Sequence, residues 1–232
     1  MRTGYYGGVD LTSVILVLPA LLFTLWAQLH VKSTFKKYAQ VASERNMSGA
    51  DAARMVLNAN GLGTVPIERV TGELTDHYDP KANVIRLSNS TYDARTAAAV
   101  GVAAHEAGHA AQYAAGYLPI RIRASIIPAT NIGSRLAFPL VFLGFVLSFQ
   151  PLVLIGVAFF ALAVLFQLLT LPVELDASRR ALACLTDSGL SEESVKAAKK
   201  VLTAAALTYV AALAVAVANF LRLLAMANRR RR

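Results

Sequence analysis

FPLVFLGFVLSFQPLVLIGVAFFALAVLFQLLTLP, residues 138–172, contains no charged side chain. As one helix, residues 138–171 would reach about 50 Å at 1.5 Å per residue, well beyond a hydrocarbon core of about 30 Å. Two spans fit better. The break falls at Gln150-Pro151, because proline disfavours helix at the residue before it, and the first span begins before Phe138. A helical hairpin over residues 126–172 returns the chain to the membrane face it left.

The rest of the chain agrees with a membrane setting. It is 56% apolar and only 16% charged, where a soluble domain carries about 25% charged residues. Residues 9–29 read as a retained N-terminal anchor whose apolar core is 14–27. Tyr5 and Tyr6 suit one interface and Trp26 the other, and Lys32, Lys36 and Lys37 point its C-terminal end to the cytoplasm. Residues 201–227 are also long enough to span. They contain Asn219 and Arg222 and end in four arginines at 229–232. Both ends of that segment are basic, so the charge rule does not orient it. The formal charge of +9 sits beside apolar runs, which favours anionic lipid headgroups over nucleic acid; no nucleic-acid-binding fingerprint is present. Cys184 is the single cysteine, so neither an internal disulfide nor a thiolate zinc site can form.

Residues 32–123 form the polar section. Ser48 and Asp51 are spaced as a capping box for a helix over 52–59, stopped at Asn60-Gly61. Strands are expected at 65–70, 74–78 and 84–87, the last two as a hairpin through residues 79–83. Such a sheet can offer an edge to an extended peptide. Ser90-Thr91-Tyr92-Asp93 offers N-caps for a helix running to about Ala115, ended by Gly116 with Pro119 beyond. That helix contains His105-Glu106-Ala107-Gly108-His109.

Two imidazoles at i and i+4 project from one helical face and can close on one ion. Two of the chain's four histidines stand at this spacing. Glu106 is then placed beside the open coordination position, where a carboxylate can take a proton from an attacking water. A catalytic zinc usually takes three protein ligands. The third should lie where the hairpin returns, and Glu174 and Asp176 are the only acids between Glu106 and Asp187. Residues 173–200 would thus supply that ligand and continue as an amphipathic helix, with a helix start at 191–194.

Three stretches resemble a known family. Leu-Thr-Asp-His-Tyr-Asp-Pro at 74–80, Ala-Ala-His-Glu-Ala-Gly-His at 103–109 and Pro-Val-Glu-Leu-Asp-Ala-Ser-Arg-Arg-Ala at 172–181 are similar to the patterns of the YugP-like membrane zinc metallopeptidases of bacteria. The likeness extends over nearly the whole chain. That family looks related to the HtpX and CAAX-prenyl protease group, in which membrane helices separate two histidines from a glutamate that is followed at the third and fourth positions by Ala and Asp. Laid on this chain, the glutamate is Glu174, the alanine Ala177, and Ser178 replaces the aspartate.

The resemblance implies zinc held by His105, His109 and Glu174 with Glu106 as general base, in a membrane-embedded endopeptidase. The expected fold is mainly α: multi-pass membrane helices with a zincin-like metal-site helix and a small hairpin or sheet on the cytoplasmic side. The expected location is the bacterial inner (plasma) membrane, with hydrophobic or juxtamembrane polypeptides as substrates. His77 reads either as a hairpin histidine bonded to Asp76 or Asp79, or as a substrate contact. Arg179 is a second candidate substrate contact. Tyr78, Tyr92 and Tyr209 give no signal. The alternative is a non-proteolytic membrane scaffold or chaperone-like protein with a retained zinc site; structural zinc sites, however, are usually closed by four ligands and rich in cysteine.

Overall fold

The structure, a computed structural model, describes residues 11–229. Tyr5, Tyr6, the first residues of the expected 9–29 anchor and the arginines at 230–232 lie outside the described residues. The protein is mainly helical, with a small sheet. In order come α1 (Leu11–Tyr38), a 3-10 turn at Glu44–Asn46, α2 (Gly49–Ala59), β1 (Ile67–Val70), β2 (His77–Asp79), β3 (Val84–Ser88), α3 (Asn89–Tyr92), α4 (Ala97–Ala114), α5 (Leu118–Val146), α6 (Gln150–Asp187) and α7 (Glu192–Arg229). Four helices, α1, α5, α6 and α7, have the length and apolarity to cross a membrane.

The chain divides into two compact units. One comprises Ala27–Ser125 and Leu169–Tyr209 and holds the histidine helix. Its α2 begins in the expected capping box: Ser48 Oγ accepts the Asp51 N–H (3.1 Å), and Asp51 Oδ2 accepts the Ser48 N–H (2.9 Å). The helix ends at Asn60, and Gly61 follows with φ +70°, where a Cβ would be strained. α2 packs along α4. Val56 and Leu57 of α2, Ile85 and Leu87 of β3 and Ala103, Ala104 and Ala107 of α4 are fully buried together.

The sheet has the order β1-β3-β2. β2 and β3 form the expected antiparallel hairpin, with Tyr78 opposite Ile85, and β1 joins β3 in parallel with Ile67 opposite Ile85. β2 is therefore an edge strand. Asp79 Oδ1 accepts the N–H groups of Lys81 and Ala82 in the turn, while Asp79 Oδ2 pairs with Arg86 at 2.7 Å.

The single helix expected from caps at 90–93 is two helices. The backbone between them is already engaged: Arg95 O accepts from Ser43 N–H, Ala94 O from Gly49 N–H, and Ala97 N–H donates to Val41 O. A helix cannot run through groups bonded elsewhere. α4 starts one turn later, with Thr96 as its N-cap, its Oγ accepting the Ala99 N–H.

The other unit comprises Ile126–Leu168 with the parts of α1 and α7 up to Trp26 and from Val210. α5 and α6 turn at 147–149, where Ser148 has φ +52° and Phe149 N–H donates to Gly144 O at 2.9 Å. Pro151 stands in the first turn of α6, where its missing N–H costs nothing. Close packing of the two helices uses glycine: a Cβ on Gly156 would lie 2.8 Å from Ala137 O, the small-residue contact favoured between membrane helices. α6 runs unbroken through Pro172 and reaches Asp187. α7 likewise joins the amphipathic and C-terminal segments in one helix.

Candidate metal centre

Within residues 101–110 of α4, only Val102, His105, Glu106 and His109 are not buried. Their spacing of i, i+3, i+4 and i+7 is one helical stripe. The other faces are alanine and glycine, so neighbours close on them. At Gly108 a Cβ would collide with the carbonyl oxygen of Ala177. This backbone contact sets α6 against α4 one turn after Glu174.

The nitrogens of His105 and His109 and a carboxylate oxygen of Glu174 lie within 4.8 Å of one another. Glu174 Oε2 is 3.2 Å from His105 Nε2 and 3.5 Å from His109 Nε2. The Glu174 side chain is 4% exposed. Each ring is held by its other nitrogen. His105 Nδ1 meets Ser178 Oγ at 3.0 Å, and His109 Nδ1 meets Gln112 Oε1 at 3.0 Å. The Gln112 amide has no freedom to turn over: its Nε2 donates to Val173 O (2.8 Å) and Asp176 Oδ2 (2.9 Å). Its oxygen is therefore the acceptor, His109 Nδ1 is the donor, and the Nε2 lone pair of the neutral ring faces Glu174.

Asp176 is not in this group. Residues 174 and 178 share a face of α6, whereas 176 lies about 200° around from 174. Asp176 instead binds Gln112, Arg179 and Arg180. The other oxygen of Glu174, Oε1, accepts from Arg123 Nη1 at 3.2 Å. Glu106 accepts the Tyr78 backbone N–H at 3.0 Å through Oε2, which ties the edge strand to α4.

A cavity of about 160 Å³ opens beside these groups, lined among others by His105, Glu106, Glu174, Ser178 and Tyr209. The Tyr209 hydroxyl interacts with Glu174. His77 does not line that cavity. It stands exposed on β2, and its Nδ1 bonds to Thr75 O at 2.8 Å. The expected bond to Asp76 or Asp79 is not made; Asp76 accepts from Ser88 and Asp79 from Arg86. Arg179, largely exposed, pairs with Asp176 and borders a neighbouring groove.

A family profile described as "Putative neutral zinc metallopeptidase" matches residues 13–228. The chain belongs to this zinc metallopeptidase family. A curated relative, "Putative membrane protease YugP" of Bacillus subtilis (strain 168), is 44% identical over 211 residues, 90% of this chain and 93% of the relative. No solved structure matches.

Zinc, the cofactor of this metallopeptidase family, fits the residues present. The Nε2 atoms of two imidazoles and a carboxylate oxygen converge, a donor set that suits a divalent cation. Burial works against the charged form of His109, but the carboxylates of Glu174 and Glu106 outweigh it and raise its pKa. The same field favours a metal ion. Among the described residues no fourth histidine, cysteine or acid joins the group.

Three contacts of this candidate centre, Gln112, Arg123 and Tyr209, escaped the sequence reading, while Ser178 was singled out there only by its position. Ser178 stands where the related group has aspartate, and its hydroxyl meets the His105 ring. Gln112 follows His109 by three residues, so helical spacing alone could have suggested it. Arg123 and Tyr209 come from α5 and α7, and no local pattern marks them.

Proposed function

We propose that this protein is a membrane-embedded, zinc-dependent endopeptidase, with His105, His109 and Glu174 as the metal ligands and Glu106 as the general base. The observation that supports it most is the stripe on α4 that places Glu106 on the same cavity as the converging His-His-Glu group. When bound, zinc supplies Lewis-acid polarisation of the scissile carbonyl and lowers the pKa of water toward about 7. Glu106 takes the proton of the attacking water and delivers it to the leaving amine, so the carboxylate is regenerated each turnover. The Tyr78 N–H orients that carboxylate. The Tyr209 hydroxyl is the donor we assign to the developing oxyanion. Gln112 and Ser178 hold the two imidazoles with Nε2 toward the site.

The substrate reading rests on an apolar groove between α6 and α7, lined by Leu175, Leu182 and Val195, which shares Ser178, Leu202 and Ala206 with the catalytic cavity. It suits the apolar side chain of a hydrophobic or juxtamembrane segment, and Arg179, which lines it while paired with Asp176, is our candidate contact for a substrate carbonyl. His77, on the outer edge strand, can contact an extended peptide paired to β2. The site side is read as cytoplasmic. If each of the four helices crosses once, the 39–117 and 188–191 connections lie on one side, near Lys32, Lys36, Lys37, Arg121, Lys199 and Lys200.

The decisive experiment measures casein cleavage in detergent by wild type and Glu106→Gln, with zinc content determined in both. The variant should keep its zinc and lose at least about a hundredfold in rate, the share general-base catalysis supplies. Full activity with zinc retained would remove Glu106 from the mechanism.

A further inference from the structure

A second cavity, of about 720 Å³, opens between α1 and α7 and shares no lining residue with the metal cavity. Lys37 and Ser33 line it from α1, and Lys196, Lys199, Lys200 and Thr203 from α7. No acid lines it. Lys196 pairs with Glu192 at 2.7 Å and the Lys37 ammonium lies 5.8 Å from the Tyr38 ring. Among the described residues Lys199 and Lys200 pair with no carboxylate. The grouping follows from two helical repeats: 33 and 37 share a face of α1, and 196, 199, 200 and 203 share a face of α7.

Of the four lysines that line the concavity, Lys37, Lys199 and Lys200 pair with no carboxylate among the described residues; their charges repel each other, and a multivalent anion removes that cost. The cavity also sits where two apolar runs stop. On α1 the exposed apolar side chains end at Leu29, 60% exposed, and the lysines begin at Lys32. On α7 the lysines end at Lys200 and the apolar run begins at Val201. That level is the headgroup layer, where phosphate is supplied on a lipid. A zwitterionic choline headgroup would add its own cation to the lysines. A volume of this size is in the range of small-ligand sites.

We propose that this cavity is a binding site for the headgroup phosphate of an anionic phospholipid, seated between α1 and α7 apart from the metal cavity and bordering the substrate groove through Lys199 and Thr203. The test is lipid retention by native mass spectrometry of the full chain, purified from mixed micelles of phosphatidylglycerol and phosphatidylcholine. Lys199→Gln/Lys200→Gln is compared with Lys32→Gln/Lys36→Gln, a pair of exposed lysines on α1 outside the cavity that removes the same charge. Phosphatidylglycerol retention should fall about 30-fold in the first pair, some fivefold per lysine, and little in the second, with phosphatidylcholine unchanged in both. Zinc content reports folding. If the first pair loses zinc, Lys37→Gln/Lys196→Gln, which takes one lysine from each helix, must show the same selective loss. Equal loss in the cavity and outer pairs would mean diffuse surface attraction and overturn the site. Displacement of the lipid from wild type by inorganic phosphate would overturn the lipid assignment in favour of a free phosphate site.

Discussion

Gln112 is fully buried and uses three hydrogen bonds to join the His109 ring to the backbone and side chain of α6. Replacing it with leucine keeps the volume and removes the acceptor for His109 Nδ1–H. Loss of such an outer contact typically weakens metal binding by about 10- to 100-fold. We expect Gln112→Leu to show that loss in a zinc competition titration against a chromophoric chelator. Asp176→Asn should still bind zinc, because Asp176 lies off the face of α6 that presents Glu174 and Ser178. The His105, Glu106 and His109 set was legible from one helical period. The choice of Glu174 over Asp176 came from the resemblance and not from the residues alone, which left both acids open; the register of α6 against α4, set where Gly108 meets Ala177, brings Glu174 beside the histidines. His77 illustrates the opposite case: its ring partner is a carbonyl two residues away, which composition and motif do not encode.

Among the elements, α2 is the one whose boundaries were clearest in sequence, since its cap and its stop are local chemistry. Ser48→Ala removes the Asp51 N–H acceptor and should destabilise the unit by about 1 kcal/mol in urea titrations. Asp51 is held below its ordinary pKa, first by the Ser48 hydroxyl and then by the Ser48 N–H. Asp79 is lowered to about 2, chiefly by its hydrogen bond to Arg86 and then by the Ala82 and Lys81 N–H groups. Depressed carboxylate pKa values add stability that is present above the unfolded-state value and is lost as pH falls through the folded one. The contribution of these two carboxylates to the urea midpoint should therefore be level above about pH 5 and decline toward about pH 2. Asp79→Asn should flatten part of that decline. The start of α4 was misplaced by one turn because residues 94–97 are bonded to 41–49, a pairing across more than forty positions that no local pattern reports.

For the whole molecule, zinc that binds the folded chain and not the unfolded one contributes about 4 kcal/mol at a free concentration a thousandfold above its dissociation constant. Chelation should lower the thermal midpoint in detergent by several degrees, and Glu106→Gln, which keeps the ligands, should show the same drop. Orientation is open to labelling. In a Cys184→Ser background, a membrane-impermeant maleimide should label Ser148→Cys from outside intact cells and spare Thr186→Cys, which should label in inverted vesicles. The reverse pattern would place the site outside the cytoplasm.

By itself, the sequence determined that the chain is a mainly helical membrane protein, that it doubles back next to Gln150-Pro151, where the turn itself falls at 147–149 and Gln150 already opens α6, and that His105, Glu106 and His109 share one face. Each of these follows from a period, a length or a local steric rule. Only the tertiary structure brought Glu174, Ser178, Arg123 and Tyr209 to that face, broke the helix expected over 90–115, and grouped lysines from α1 and α7 on one cavity. These are contacts between segments far apart in the chain: the close approach of Gly108 to Ala177 brings α6 to the histidine helix, and backbone hydrogen bonds from 41–49 end the helix before α4.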